Sequence, residues 1–138
     1  MEGHIKVTVV SRSRYDGGEE ELTFTGKGLL KMTEQGFHLR YTADDGSGVK
    51  TASDVMAENG TVRLRIVGEN GYTLWLDPTR PTDNPIPTEA GRLSIRAVTN
   101  RLDWRLDAEQ GELLMDYTLL AQGITLSDMC VSIQMRNE

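Results

Sequence analysis

TEAGRLSIRAVTNRLDWRLDAEQGELLMDYTL, residues Thr88–Leu119, is the stretch whose reading decides the fold. Its apolar residues alternate with polar ones, the period of strands with one buried face. It reads as three strands folded back on each other. A turn at Thr99-Asn100 pairs Ala97 with Leu102, Ile95 with Trp104 and Leu93 with Leu106. The opposite face then sets Arg96 against Asp103 and Arg92 against Asp107, two cross-strand ion pairs. A second turn, Ala108 to Gly111, pairs Leu106 with Leu113, Trp104 with Met115 and Leu102 with Tyr117. Apolar and charged residues point to one register, and agreement across levels is what a foldable sequence shows.

Working outward, the same period recurs. Ile5, Val7 and Val9 mark a first strand. Leu22, Phe24, Gly26, Gly28, Leu30 and Met32 share one face of a long second strand, and its two inner glycines predict a sharp bend. A hairpin loop at Thr33 to Gly36 sets Met32 against Phe37, Leu30 against Leu39, and Tyr41 over the bare Gly28. Asn59-Gly60 is the strongest two-residue hairpin signal and pairs Val55 with Leu64 and Ala57 with Val62. A three-residue loop, Glu69 to Gly71, pairs Ile66 with Leu74 and Leu64 with Leu76, and places Arg65 opposite Trp75. All four prolines fall between Asp77 and Thr88. Proline cannot donate to a ladder, so this segment is no central strand and is expected to be a long irregular crossing. In the last strand Met129, Val131, Ile133 and Met135 share a face. A plain Gln122-Gly123 hairpin gives them the wrong parity, so a bulge or a longer loop is predicted between Ile124 and Asp128.

The chain has 138 residues, one domain's length, enough to bury a core without a disulfide or metal. The expected fold is a single all-β domain, residues 1–138, an antiparallel barrel of about ten strands with little or no helix. The net charge is −6, and no basic run interrupts the sequence, which argues against nucleic acid as a partner. The one cysteine, Cys130, fits a reducing compartment. There is no signal peptide pattern and no apolar run long enough to span a membrane. The expected location is the cytoplasm.

The order IKVTVVSRS (5–13), EEELTFTGKGLL (19–30), GFHLRY (36–41), TEAGRLSI (88–95), DAEQGELLMDYTLL (107–120) and MCVSIQMR (129–136) resembles the bacterial DUF1934 family, also called YwiB-like. The resemblance spans nearly the whole chain and implies a calycin-type, lipocalin-like β-barrel. It implies no activity. The chain departs from the family pattern at Glu89, where proline is usual, at Ile86, where tyrosine is usual, and in Thr42 to Asp45, where an acidic position is blurred.

No catalytic motif rises above background. The two histidines, His4 and His38, stand near no readable nucleophile, and His38 falls on an outward face. Cys130 reads as a structural thiol. Two histidines and one cysteine fall short of a zinc site, and Asp44 to Gly48 lacks the spaced ligands of a calcium loop. No phosphate loop opens a helix. No cofactor or metal is expected. A barrel of this size can hold one small ligand. Tyr41, Trp104 and Tyr117 fall on the inner face, and buried Tyr and Trp seek hydrogen-bond partners, so these three are the candidate ligand-binding residues. The function expected is a non-catalytic module holding a small apolar or amphipathic molecule. The alternative is a structural or protein-interaction module with a filled barrel, self-associating through outward Leu29, Leu114 and Leu120.

Overall fold

The computed structural model describes all 138 residues, as ten antiparallel strands and no helix. They are β1 (Gly3–Tyr15), β2 (Gly18–Thr33), β3 (Gly36–Asp44), β4 (Lys50–Glu58), β5 (Thr61–Val67), β6 (Tyr72–Leu76), β7 (Thr82–Thr88), β8 (Gly91–Leu106), β9 (Gln110–Ala121) and β10 (Ile124–Asn137). The order across the sheet is β6-β5-β4-β3-β2-β1-β10-β9-β8-β7. Each strand thus lies beside its sequence neighbours, and β1 pairs with β10. The result is an up-and-down barrel.

One junction has no backbone ladder, that between β6 and β7. Side chains bridge it instead. The Trp75 amide donates to Asn84 Oδ1 at 2.9 Å, and the Thr82 hydroxyl donates to the Trp75 carbonyl. Asn84 is 1% exposed, and its Nδ2 donates back to Thr82 and to the Ile95 carbonyl. An amide side chain there stands in for a missing strand partner. Losing it would leave the part-buried Trp75 amide without its partner.

Proline explains why the seam stays open. The proline-rich segment is not an irregular crossing: Thr82–Thr88 is β7, paired with β8 from Thr82 opposite Ala97 to Thr88 opposite Gly91. Pro85 and Pro87 leave two of its residues with no amide proton to offer. Such a strand sits at an edge, where the sequence argument had excluded only a central one.

The hairpin predicted at Thr99-Asn100 does not exist. β8 runs unbroken through it, with Thr99 opposite Tyr117 and Arg101 opposite Asp116, so Asn100 is the extra residue of a β-bulge. A bulge switches parity as a hairpin does. Ile95, Ala97 and Thr99 face inward before it, and Leu102, Trp104 and Leu106 after it. Ile95 therefore faces Asn84, not Trp104. Arg96 pairs with Asp83 at 3.1 Å, and Asp103 pairs with Arg101 on its own strand. Arg92 faces Pro87, not Asp107. The β8–β9 register also moves by two: Trp104 faces Leu113, Leu102 faces Met115, and Leu106 faces Gly111.

A second two-residue shift occurs between β5 and β6. Ile66 faces Tyr72, Leu64 faces Leu74 and Val62 faces Leu76. Gly68, with φ of 140°, takes the left-handed position expected of Gly71. Arg63 rather than Arg65 lies opposite Trp75, its guanidinium 5.9 Å from the indole centroid.

The other pairings stand as expected. Met32 faces Phe37, Leu30 faces Leu39 and Gly28 faces Tyr41. Val55 faces Leu64 and Ala57 faces Val62, across a turn with positive φ at both Asn59 and Gly60. The predicted bulge in β10 falls at Leu126, and it brings Met129 opposite Tyr117. Twenty buried apolar residues from nine strands form one core through the waist of the barrel. Burying side chains such as Phe37, Leu39 and Ile133 is the main stabilising contribution, about 1.5–3 kcal/mol each.

Candidate functional site

Five connections, β1–β2, β3–β4, β5–β6, β7–β8 and β9–β10, lie at one end of the barrel, here the upper end. Ladder pairing brings two polar arcs to it. One runs Tyr41, Ser53, Ile66, Tyr72 across β3 to β6. The other runs Thr99, Tyr117, Met129 across β8 to β10. Tyr41 and Tyr72 are half-buried, while Ser53, Thr99 and Tyr117 are buried.

The electrostatics show the arcs meeting. Burial pushes the Tyr117 phenol up from its ordinary pKa, and the nearby Tyr72 and Tyr41 push it further. Burial also raises Tyr41, with the facing Ser53 hydroxyl partly offsetting it, and raises Tyr72. All three stay neutral hydroxyls, able to donate and accept. Beside Tyr117, the Thr99 hydroxyl is buried with no hydrogen-bond partner. An unpartnered buried hydroxyl costs about 1–3 kcal/mol, so native structures seldom keep one without a reason. Above this floor the rim is apolar. Tyr15, Leu22 and Ile124 have the strand parity of inner residues yet are 44%, 39% and 67% exposed.

Tyr41 and Tyr117 are thus brought to one place, and Trp104 is not. Trp104 lies toward the opposite end, with Phe37 edge-on at 6.0 Å and an interplanar angle of 88°. Sequence reasoning missed Tyr72, although it shares parity with Leu74 and Leu76. It also passed over Ser53 and Thr99.

The outer wall carries a second cluster. Asp54 points outward from β4 yet is only 8% exposed, because neighbours cover it. His38 Nε2 lies 2.8 Å from Asp54 Oδ1, Arg40 Nε 3.2 Å from Oδ2, and Arg63 at 3.5 Å. Burial opposes ionisation of Asp54, but these three outweigh it and hold its carboxyl below the usual range. His38 is therefore a member of a half-buried ionic cluster, not a free surface histidine. The ladder places Asp54 opposite Arg65, as the Asn59-Gly60 hairpin requires, and opposite Arg40, in a β3–β4 register that the hairpins predicted from sequence left unassigned. An open groove of about 570 Å³ runs over this wall, lined by His4, Lys27, Leu29, Arg40, Arg65 and Val67 among others. Leu29 is 52% exposed, whereas Leu114 and Leu120 are half-buried. Cys130 is exposed. Nowhere do three or more His, Cys, Asp or Glu side chains converge as a metal site requires, and no helix is long and apolar enough to cross a membrane.

Among solved structures, the chain is similar to the YwiB protein from Bacillus subtilis. The two share 19% identity with a TM-score of 0.82, over 99% of this chain and 93% of that one. At that identity the likeness shows the fold alone. An inactive mutant of the CurJ dehydratase aligns over 94% of this chain and 74% of its own, at 9% identity and a TM-score of 0.23, too low to bear on the fold. No curated protein matches the sequence. The model of DUF1934, a domain of unknown function, matches residues 7–133. That match covers most of the barrel, from β1 to the core end of β10, and the chain belongs to the DUF1934 family.

Proposed function

We propose that this barrel is a non-catalytic binding module that takes one small amphipathic molecule at its upper mouth. The apolar part of the ligand lies among Leu22, Phe24 and Ile124. Its polar end points down to Thr99 and the hydroxyls of Tyr41, Tyr72 and Tyr117. The observation that carries this reading is the buried, unpartnered Thr99 hydroxyl beside Tyr117. A ligand oxygen or nitrogen would satisfy it, and apolar walls with a few converging polar groups are the usual make-up of small-molecule sites. The core fills the barrel beneath these residues, and Trp104 belongs to that packing. The lipocalin-like comparison implied by the sequence belongs to this reading, as does a cytoplasmic location, which the single unpaired Cys130 supports.

The test is native mass spectrometry of protein purified from its own host. A small adduct that is released on denaturation, and that Thr99→Val and Tyr117→Phe retain less well, is the expected result. Protein that is ligand-free in every preparation, with a melting temperature indifferent to fatty acids and other amphiphiles, would sink the reading.

A further inference from the structure

The outer wall bearing Asp54 gathers charge that the sequence scatters. Three rows of outward positions cross it. The first runs Arg136, Lys6, Lys27, Thr42, Ala52, Val67. The second runs His4, Leu29, Arg40, Asp54, Arg65, Thr73. The third runs Lys31, His38, Met56, Arg63, Trp75. Seven of the 15 Lys and Arg thus stand on one wall of a chain with net charge −6. Within these rows they are opposed by Asp54, by Glu138, which pairs with Lys27, and by Glu2, whose carboxylate accepts from the Met32 amide beside Lys31, with Asp44 and Glu58 outward in the flanking rows. Lys6, Lys31, Arg65 and Arg136 are exposed on this wall and do not figure in the ion pairs. Adjacent strands are about 4.8 Å apart and successive outward residues about 7 Å, so the cations form a lattice of repeated positive charge.

We infer that this wall is a docking surface for single-stranded nucleic acid. The chain's overall acidity argues against such a partner, but phosphate binding depends on local clusters of Lys and Arg, and the barrel builds one from five strands. The groove over the wall suits a flexible strand better than a flat bilayer. The backbone groups of β1 to β5 are already used in ladders on both sides, so an extended acidic peptide has no edge to add to along them. At the end of the third row Trp75 is 49% exposed and braced by Arg63, a surface on which a base can stack.

The experiment titrates the whole protein into a fluorescently labelled oligothymidylate and follows anisotropy at several salt concentrations. With about four phosphates neutralised, affinity falls roughly 50-fold between about 50 and 200 mM salt. Arg40→Glu with Arg65→Glu weakens binding about tenfold or more, and so does Lys6→Glu with Lys31→Glu, which leaves the Asp54 cluster intact. Trp75→Leu weakens it by about fivefold or more and abolishes the quenching of tryptophan fluorescence that oligonucleotide causes in the parent. Circular dichroism verifies that each variant is folded. Absence of binding at low salt overturns the inference, as does a flat salt dependence. So does equal weakening by Arg105→Glu on the opposite wall, or tighter binding of polyglutamate or anionic vesicles than of the oligonucleotide.

Discussion

Gly26 and Gly28 lie where β2 and β3 press closest. A methyl group at Gly26 would come 1.9 Å from the Thr42 carbonyl oxygen, and one at Gly28 2.3 Å from that of Arg40. Backbone cannot yield as a flexible side chain does, so these two positions are confined to glycine. Tyr41 fills the space that Gly28 leaves, as the sequence pairing anticipates. The phenols make a different kind of statement. Tyr41, Tyr72 and Tyr117 have pKa values raised in the folded state. Their neutral forms are the ones the fold accommodates, so the stability linked to them is complete below the unfolded value of about 10 and declines as pH rises past it. In an alkaline titration, phenolate absorbance from these three residues is expected to appear together with loss of the folded circular dichroism signal. Three phenolates forming reversibly in an intact barrel would contradict their burial. At this scale the sequence was legible where one hairpin sufficed, as for Gly28 and Tyr41. It was opaque where two hairpins had to be joined: Asp54 meets His38, Arg40 and Arg63 only once β3, β4 and β5 are aligned together.

Elements show the same limit in another form. An inner face that moves from odd to even numbers has two physical causes, a turn or a bulge. In β10 a plain hairpin had the wrong parity, a bulge or a longer loop was expected between Ile124 and Asp128, and the chain uses a bulge at Leu126. In β8 a hairpin at Thr99-Asn100 satisfied every local pattern, yet the chain uses a bulge at Asn100. The supposed Arg–Asp matches did not discriminate, because Arg96 finds Asp83 equally well from the other side. Strand β7 tips the balance, since an unbroken β8 pairs with both β7 and β9, and prolines had disguised β7 as loop. Deleting Asn100 separates the two cases. A hairpin loop would absorb the loss. A bulge cannot, because Leu102, Trp104 and Leu106 would turn outward. The deletion is expected to abolish cooperative unfolding, measured by denaturant titration, and a deletant as stable as the parent would restore the hairpin. The shift between β5 and β6 was invisible for a related reason. Gly68 and Gly71 both suit a turn, and a slip of two keeps every parity. The structure closes this hairpin with the longer connection, Val67 to Gly71, and pairs Ile66 with Tyr72.

For the whole molecule, class, strand number and barrel closure were legible, because alternation and glycine-marked turns run the full length of the chain. The distribution of charge was not. Lys6, Lys31, Arg40, Arg65 and Arg136 are far apart in sequence and neighbours only on the closed surface. The same holds for the upper mouth, which depends on side chains from seven strands arriving at one level.

The seam between β6 and β7 has a consequence for folding rate. The sheet begins and ends at two strands that are consecutive in sequence, while its longest-range pairing, β1 with β10, joins residues such as Ile5 and Asn137. A circular permutant opened between Asp77 and Pro81, with a short linker from Glu138 to Met1, would order the strands as they lie in the sheet. Every ladder would then be a hairpin between successive strands. Relative contact order falls while the ladders are unchanged, and across two-state proteins a lower contact order goes with faster folding. The permutant is expected to refold faster than the parent in stopped-flow experiments. Slower refolding at equal stability would show that the seam's side-chain bridge, rather than the closure of β1 on β10, limits the rate.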